Sequence, residues 1–193
     1  MSFLKKKSTI IILAVVAVFV ILVAIVAISH NGFVDSEQKV KDTHSNISIQ
    51  LKRRADLIPN FVETVKGYSE YEQETFTAVT NARAALKNAS GVEEESAAAA
   101  QLDAAIDVWV NAVTEAYPEL KANENYIALQ DELAGTENRI AKARKDYNDA
   151  VKEYNSKVKR FPSNIIAGIF NFDEAEYFEI DPADAENPQV SFD

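Results

Sequence analysis

Cysteine is absent, which excludes disulfides, thiol nucleophiles, cysteine-ligated zinc, iron–sulfur clusters and lipid attachment through a thiol. Histidine is almost absent: His30 and His44 are the only two in 193 residues. A ferritin-like dimetal centre needs two Glu-x-x-His pairs and further inward glutamates, so it cannot be assembled after His44. No loop alternates Asp and Asn around a glycine, so no calcium loop is present either. Lysine and arginine total 20 against 30 acids, a formal charge of -10, which argues against a nucleic-acid partner. Five glycines and five prolines leave few places to turn and favour long helices over many short strands. These scarcities predict a chain with no catalytic residue, no cofactor and no metal.

What is abundant is apolar sequence, unevenly placed. Residues 10–28 are wholly apolar, and a helix of that length spans about 28 Å, the thickness of a bilayer core. A cleaved signal peptide is the rival, with Ala27 and Ser29 as small residues near a cleavage point. The run exceeds the roughly 7–15 residues of a signal core, so a retained anchor is expected. Lys5, Lys6 and Lys7 precede it, while Lys39 and Lys41 beyond it are mixed with acids. The positive-inside rule then keeps the N-terminus cytoplasmic and places the bulk of the chain outside. Membrane lipid is thus the first expected partner.

After a short break at 29–32 the pattern becomes helical. Leu51, Ile58, Val65, Glu72, Val79 and Leu86 fall seven apart, so one stripe predicts a single long helix, or two nearly collinear ones, across Pro59. Pro59 has no N–H for the carbonyl of Ala55 and is a candidate kink. Ser90 and Glu93 have capping-box spacing before an alanine-rich helix that presents Leu102, Ile106, Trp109 and Val113. Tyr117-Pro118 ends it, and Asn123 or Asn125 caps the next. Tyr126, Leu133, Ile140, Tyr147, Tyr154 and Phe161 are again seven apart, a period that predicts coiled-coil-like packing. Residues 164–172 form a short apolar run able to pack back. Beyond 180 the chain reads as a disordered acidic tail.

Five motifs in order, QLKRRADLIPNFVETVKG at 50–67, YPELKANEN at 117–125, ARKDYN at 143–148, VKEYN at 151–155 and Phe161-Pro162, resemble the LemA family of bacterial membrane-anchored helical proteins. The resemblance implies a helical bundle on a membrane anchor and a role in envelope or internal-membrane organisation. His44 departs from the family pattern, in which many members carry tryptophan nearby.

The fold expected is all-α: an N-terminal transmembrane helix followed by an elongated antiparallel bundle of three long helices, the first kinked at Pro59, and a short C-terminal segment. Its divisions are a basic cytoplasmic N-terminus at 1–8, an anchor at 9–29, the bundle at 30–180 and the tail at 181–193. Lys52, Arg53 and Arg54 are candidate interaction residues, with salt bridges to Asp56, Glu63 and acids on a neighbouring helix as the default reading. Since three consecutive positions cannot all face the core, at least one arginine points outward. Glu72, the acid that the register places on an apolar stripe, requires a partner from another helix, with Arg139 and Arg144 as candidates. Tyr147-Asn148 and Tyr154-Asn155 read either as a polar strip for a ligand or as a core stripe whose hydroxyls reach the edge. The leading function is a membrane-anchored, non-catalytic scaffold or adaptor that self-assembles or contacts other membrane proteins. The alternative is an envelope sensor holding a small ligand or peptide between its helices near Glu72, Tyr147 and Tyr154.

Overall fold

Five α-helices and one 3₁₀ turn account for the described elements: α1 (Ser2–Lys66), α2 (Gln73–Asn88), α3 (Val92–Ala116), the turn Pro118–Ala122, α4 (Glu124–Lys159) and α5 (Ser163–Phe170). The structure, a computed structural model, describes residues 2–66 and 73–178, with side chains from residue 12 onward except 66, 73 and 74. The chain is all-α, as the scarcity of turn residues predicted. The expected acidic tail at 181–193 lies outside the described residues.

Helix α1 is longer than the sequence suggested. The break expected at 29–32 does not occur: α1 runs through Gly32 without interruption. One glycine costs a helix about 1 kcal/mol, too little to stop it when no proline follows at once. The side chains of 12–28 are nearly all exposed, as a helix made for lipid requires.

The chain divides into two compact units, Met1–Val40 with Ala150–Ala175 and Lys41–Asp149 with Glu176–Asp193. In the first unit the end of α4 runs antiparallel to α1. Lys39 Nζ meets Glu153 at 2.9 Å and Lys157 Nζ donates to Ser36 Oγ at 2.6 Å, so sequence numbers rise on one helix as they fall on the other. Phe33 is 2% exposed and stacks on Phe172 at 4.9 Å. The Asn155 side chain donates to Ala175 O and accepts from Ala175 N–H, both at 2.8 Å, tying down the segment that follows α5.

The second unit is an up-down-up-down bundle. His44 pairs with Glu95, Arg54 with Asp103 and Phe61 with Trp109, so α3 runs parallel to α1. Arg53 pairs with Glu132 and Phe61 with Tyr126, so α4 runs antiparallel to it. Helix α2 is the correction. Arg83 Nε donates to the carbonyl of Ala55 at 2.7 Å, whereas a continuous helix would hold these residues about 42 Å apart. Helix α2 therefore runs antiparallel to α1 and packs on α3, and the bundle has four helices rather than three. The seven-residue stripe is nevertheless real. Leu51, Ile58, Val65, Val79 and Leu86 are all buried, because both helices turn the same face to one core.

That Arg83 contact repairs the defect left by Pro59. Pro59 sits exposed inside α1 and has no N–H to give the Ala55 carbonyl, and the guanidinium from α2 supplies the missing donor. We expect Arg83→Met to lower stability by about 1–2 kcal/mol in the wild-type background. In a Pro59→Ala background, where the N–H is restored, the same change should cost less than about 0.5 kcal/mol. Equal costs in both backgrounds, measured by urea unfolding, would show that the two residues are not coupled.

Candidate functional site

The core of the second unit is apolar at one end. Phe61 lies 4.9 Å from Trp109 and 5.2 Å from Tyr126, all three at most 2% exposed, and the Tyr126 hydroxyl reaches Thr114 Oγ at 2.6 Å. The Asn123 side chain caps α4 by accepting from the Tyr126 N–H at 3.1 Å. At the start of α3 the expected Ser90–Glu93 box does not form. Gly91, at φ 85°, is the N-cap, and the Ser90 N–H donates instead to the Glu94 carboxylate at 2.9 Å.

One level further along, the core becomes ionic. Arg54 is 2% exposed; its Nη1 lies 2.9 Å from Asp103 Oδ1 and its Nη2 3.2 Å from Glu137 Oε2. Arg144 approaches the other oxygen of Asp103 at 3.4 Å and lies over the Phe178 ring at 5.4 Å. Three helices thus meet at one carboxylate held between two guanidiniums. Burial pushes the Asp103 carboxyl up from its ordinary value, against the lowering pull of Arg54 and Arg144.

A second polar group follows. His44 Nε2 and Ser48 Oγ both approach Glu95 Oε2, at 3.2 and 2.9 Å. The serine donates to the carboxylate rather than to the imidazole, so this is not a nucleophile–base pair. Tyr147 lies beside His44, with ring centroids 5.7 Å apart, and its hydroxyl donates to the carbonyl of Glu176 at 2.8 Å. Burial, with Glu176 and Glu95 nearby, pushes the Tyr147 hydroxyl up to about 12, so it remains a donor. Among the described residues no cluster of His, Asp and Glu is placed to hold a metal ion. A recess of about 200 Å³ opens beside Arg54, lined by Asn111, Gln130 and Glu137 over Ile106 and Leu133.

The residues singled out from the sequence separate into distinct roles. Arg54 is inside the core, paired with acids of two other helices. Lys52 and Arg53 face outward, and Arg53 shares Glu132 with Arg139 at 2.7 and 2.9 Å. Arg144, expected as a candidate partner for Glu72, is buried with Asp103 as its partner, while Glu72 lies outside the described residues. Sequence reading passed over Asp103. Its signal was position, since it sits one residue after buried Leu102 and three before buried Ile106. Tyr147 and Tyr154 are core residues, 2% and 4% exposed, and the asparagine after each holds the backbone of the C-terminal segment rather than an outside ligand. The heptad ends at Tyr154, because Phe161 lies past the end of α4 and is 75% exposed.

Comparison with known proteins finds relatives that cover most of the chain. A protein LemA of Metamycoplasma hominis is 25% identical over 168 residues, covering 81% of this chain and 75% of its own. Magnetosome proteins MamQ 1 and MamQ 2 of Paramagnetospirillum magneticum are each 25% identical over 193 residues, covering 83% of this chain and 68% of theirs. The model of the LemA family matches residues 43–192, which takes in the whole four-helix bundle. The chain belongs to the LemA family.

Proposed function

We propose that this protein is a non-catalytic scaffold or adaptor at a bacterial membrane, acting through helix faces that meet further copies of itself or other membrane proteins. The observation that carries this reading is α1, which bears both the apolar run and the first helix of the bundle without a break. The anchor crosses once, with the lysine-bearing N-terminus in the cytoplasm and the bundle outside. Confinement to the membrane plane raises the effective concentration of neighbouring copies, so weak helix-face contacts suffice for assembly. The charged groups of the bundle core pair with one another, consistent with a structural rather than a chemical role. Relatives named as magnetosome proteins support a part in cell organisation rather than in metabolism.

Because the chain has no cysteine, single cysteines report cleanly. Lys52→Cys and Val108→Cys, both at exposed positions, should yield cross-linked dimers and higher species in native membranes, persisting after dilution with excess lipid. A membrane-impermeant maleimide should label them in intact cells. Monomers alone at every lipid ratio would remove self-assembly, and labelling only after lysis would reverse the orientation.

A sensor of small ligands has the recess beside Arg54 in its favour. That volume is below the roughly 300–1,000 Å³ of ordinary ligand clefts, which leaves the scaffold as the stronger reading.

A further inference from the structure

Helix α5 has two unlike faces. Ile166 and Ala167 are buried, whereas Ile165, Ile169 and Phe170 are 55%, 66% and 43% exposed, and Phe161 just before the helix is 75% exposed. Four large apolar side chains bared within ten residues are not the scattered exposure of an ordinary surface. Soluble bundles hide such a face or use it.

Its position within the first unit says what covers it. The Phe170 ring lies 4.7 Å from the His30 ring and the Phe172 ring 5.6 Å from it. His30 stands two residues beyond the apolar run at 10–28, a rise of about 3 Å along α1. The end of α5 is therefore level with the place where α1 leaves the hydrocarbon. A side chain there meets headgroups and the upper acyl chains, the zone in which short amphipathic helices settle.

We infer that α5 is a second membrane contact, in which Ile165 and Ile169, with Phe161 and Phe170, enter the outer boundary of the same bilayer that α1 crosses. The contact is apolar rather than electrostatic. Of the cations just before it, Lys157 is paired with Glu153 and Lys159 with Glu174, and the charge of exposed Arg160 is matched in number by that of nearby Asp173. Zwitterionic lipid should therefore suffice, without dependence on anionic headgroups or salt. The effect would be to hold the membrane-proximal end of the protein at two points instead of one, restricting tilt and rotation about the span.

The test uses the full chain in phosphatidylcholine vesicles, with nitroxides on the single-cysteine variants Ile165→Cys and Ile169→Cys. References are Val20→Cys in the span and Val108→Cys on α3, each exposed in the protein. The ratio of oxygen to nickel-chelate collision should place labels 165 and 169 about 5–10 Å into the boundary between headgroups and acyl chains, between the two references. A ratio equal to that at 108 would put α5 in water and overturn the inference. So would low access to both reagents with spin–spin broadening between labelled copies, which would mean that a second molecule covers the face.

Discussion

Replacing Asp103 by alanine is expected to cost about 3–5 kcal/mol, among the largest effects available in this fold, because it strands two guanidiniums that are largely withdrawn from water. Arg54 has 3% and Arg144 11% of its side chain exposed, and each keeps a hydrogen-bonding or ionic contact with this one carboxylate. Glu137 still touches Arg54, but its own side chain is 55% exposed, so it offsets only part of the loss. Trp109, the only tryptophan and itself buried, reports unfolding of this unit directly. A loss of less than about 1 kcal/mol, the range of exposed ion pairs, would show that the group is hydrated in solution.

The cost of removing one partner is nonetheless not the net worth of the cluster. Desolvation, with the nearby Glu137 carboxylate, raises the Asp103 carboxyl above its ordinary 3.8 against the pull of the two guanidiniums. The folded protein thus holds this proton more tightly than the unfolded chain, so the contribution of the group is full below pH 3.8 and is lost as pH rises through the folded value. The advantage of wild type over Asp103→Asn should accordingly grow as pH falls from neutral toward 4. Replacing Arg54 and Arg144 by methionine together with Asp103 by leucine should leave stability unchanged or raised. The charges come from α1, α3 and α4, and a triple variant that loses its single folded alignment would show that they set register.

Periodicity revealed faces and concealed directions. The rows at 51, 58, 65, 79 and 86 and at 126, 133, 140, 147 and 154 are buried almost without exception, so the core was legible from a seven-residue count. The same count could not show that α2 runs antiparallel to α1, because two antiparallel helices that face one core preserve the stripe. The contact that reveals it, Arg83 on the Ala55 carbonyl, answers a vacancy that Pro59 announced in the sequence, but only three-dimensional proximity identifies the donor. In the run Lys52-Arg53-Arg54 the sequence left open which arginine faces a neighbouring helix. The third residue follows buried Leu51 by three, a core position, and it is the one that pairs inside the bundle. The α5 face was legible as apolar composition, while its level relative to the span depended on the His30 and Phe172 contacts, which no local pattern encodes.

Truncating Phe178 to alanine should lower stability by about 3 kcal/mol, near the bottom of the range for a buried phenylalanine, because the segment that carries it can detach without opening the bundle. Phe178 is 1% exposed, with the Tyr147 ring at 6.4 Å and the Arg144 guanidinium at 5.4 Å. Asn148 accepts from its N–H and donates to its carbonyl, each at 2.9 Å, and the Tyr147 hydroxyl holds the Glu176 carbonyl. These polar contacts grip backbone and are indifferent to side-chain identity, so the phenyl ring carries the side-chain-specific part of the docking of the segment. Without it, each hydrogen bond, worth about 1 kcal/mol net, must bear the full ordering entropy of an otherwise free strand and does not. The consequence is strong non-additivity. Asn148→Ala and Tyr147→Phe should each cost about 1 kcal/mol in the wild-type background and close to nothing after Phe178→Ala. Hydrogen exchange at the Phe178 position should accelerate toward the unprotected rate in the alanine variant, while amides in the middle of α4 stay protected. If exchange there stays slow and the Asn148 and Tyr147 substitutions keep their full cost, the backbone clamp holds the segment unaided, and Phe178 only fills space.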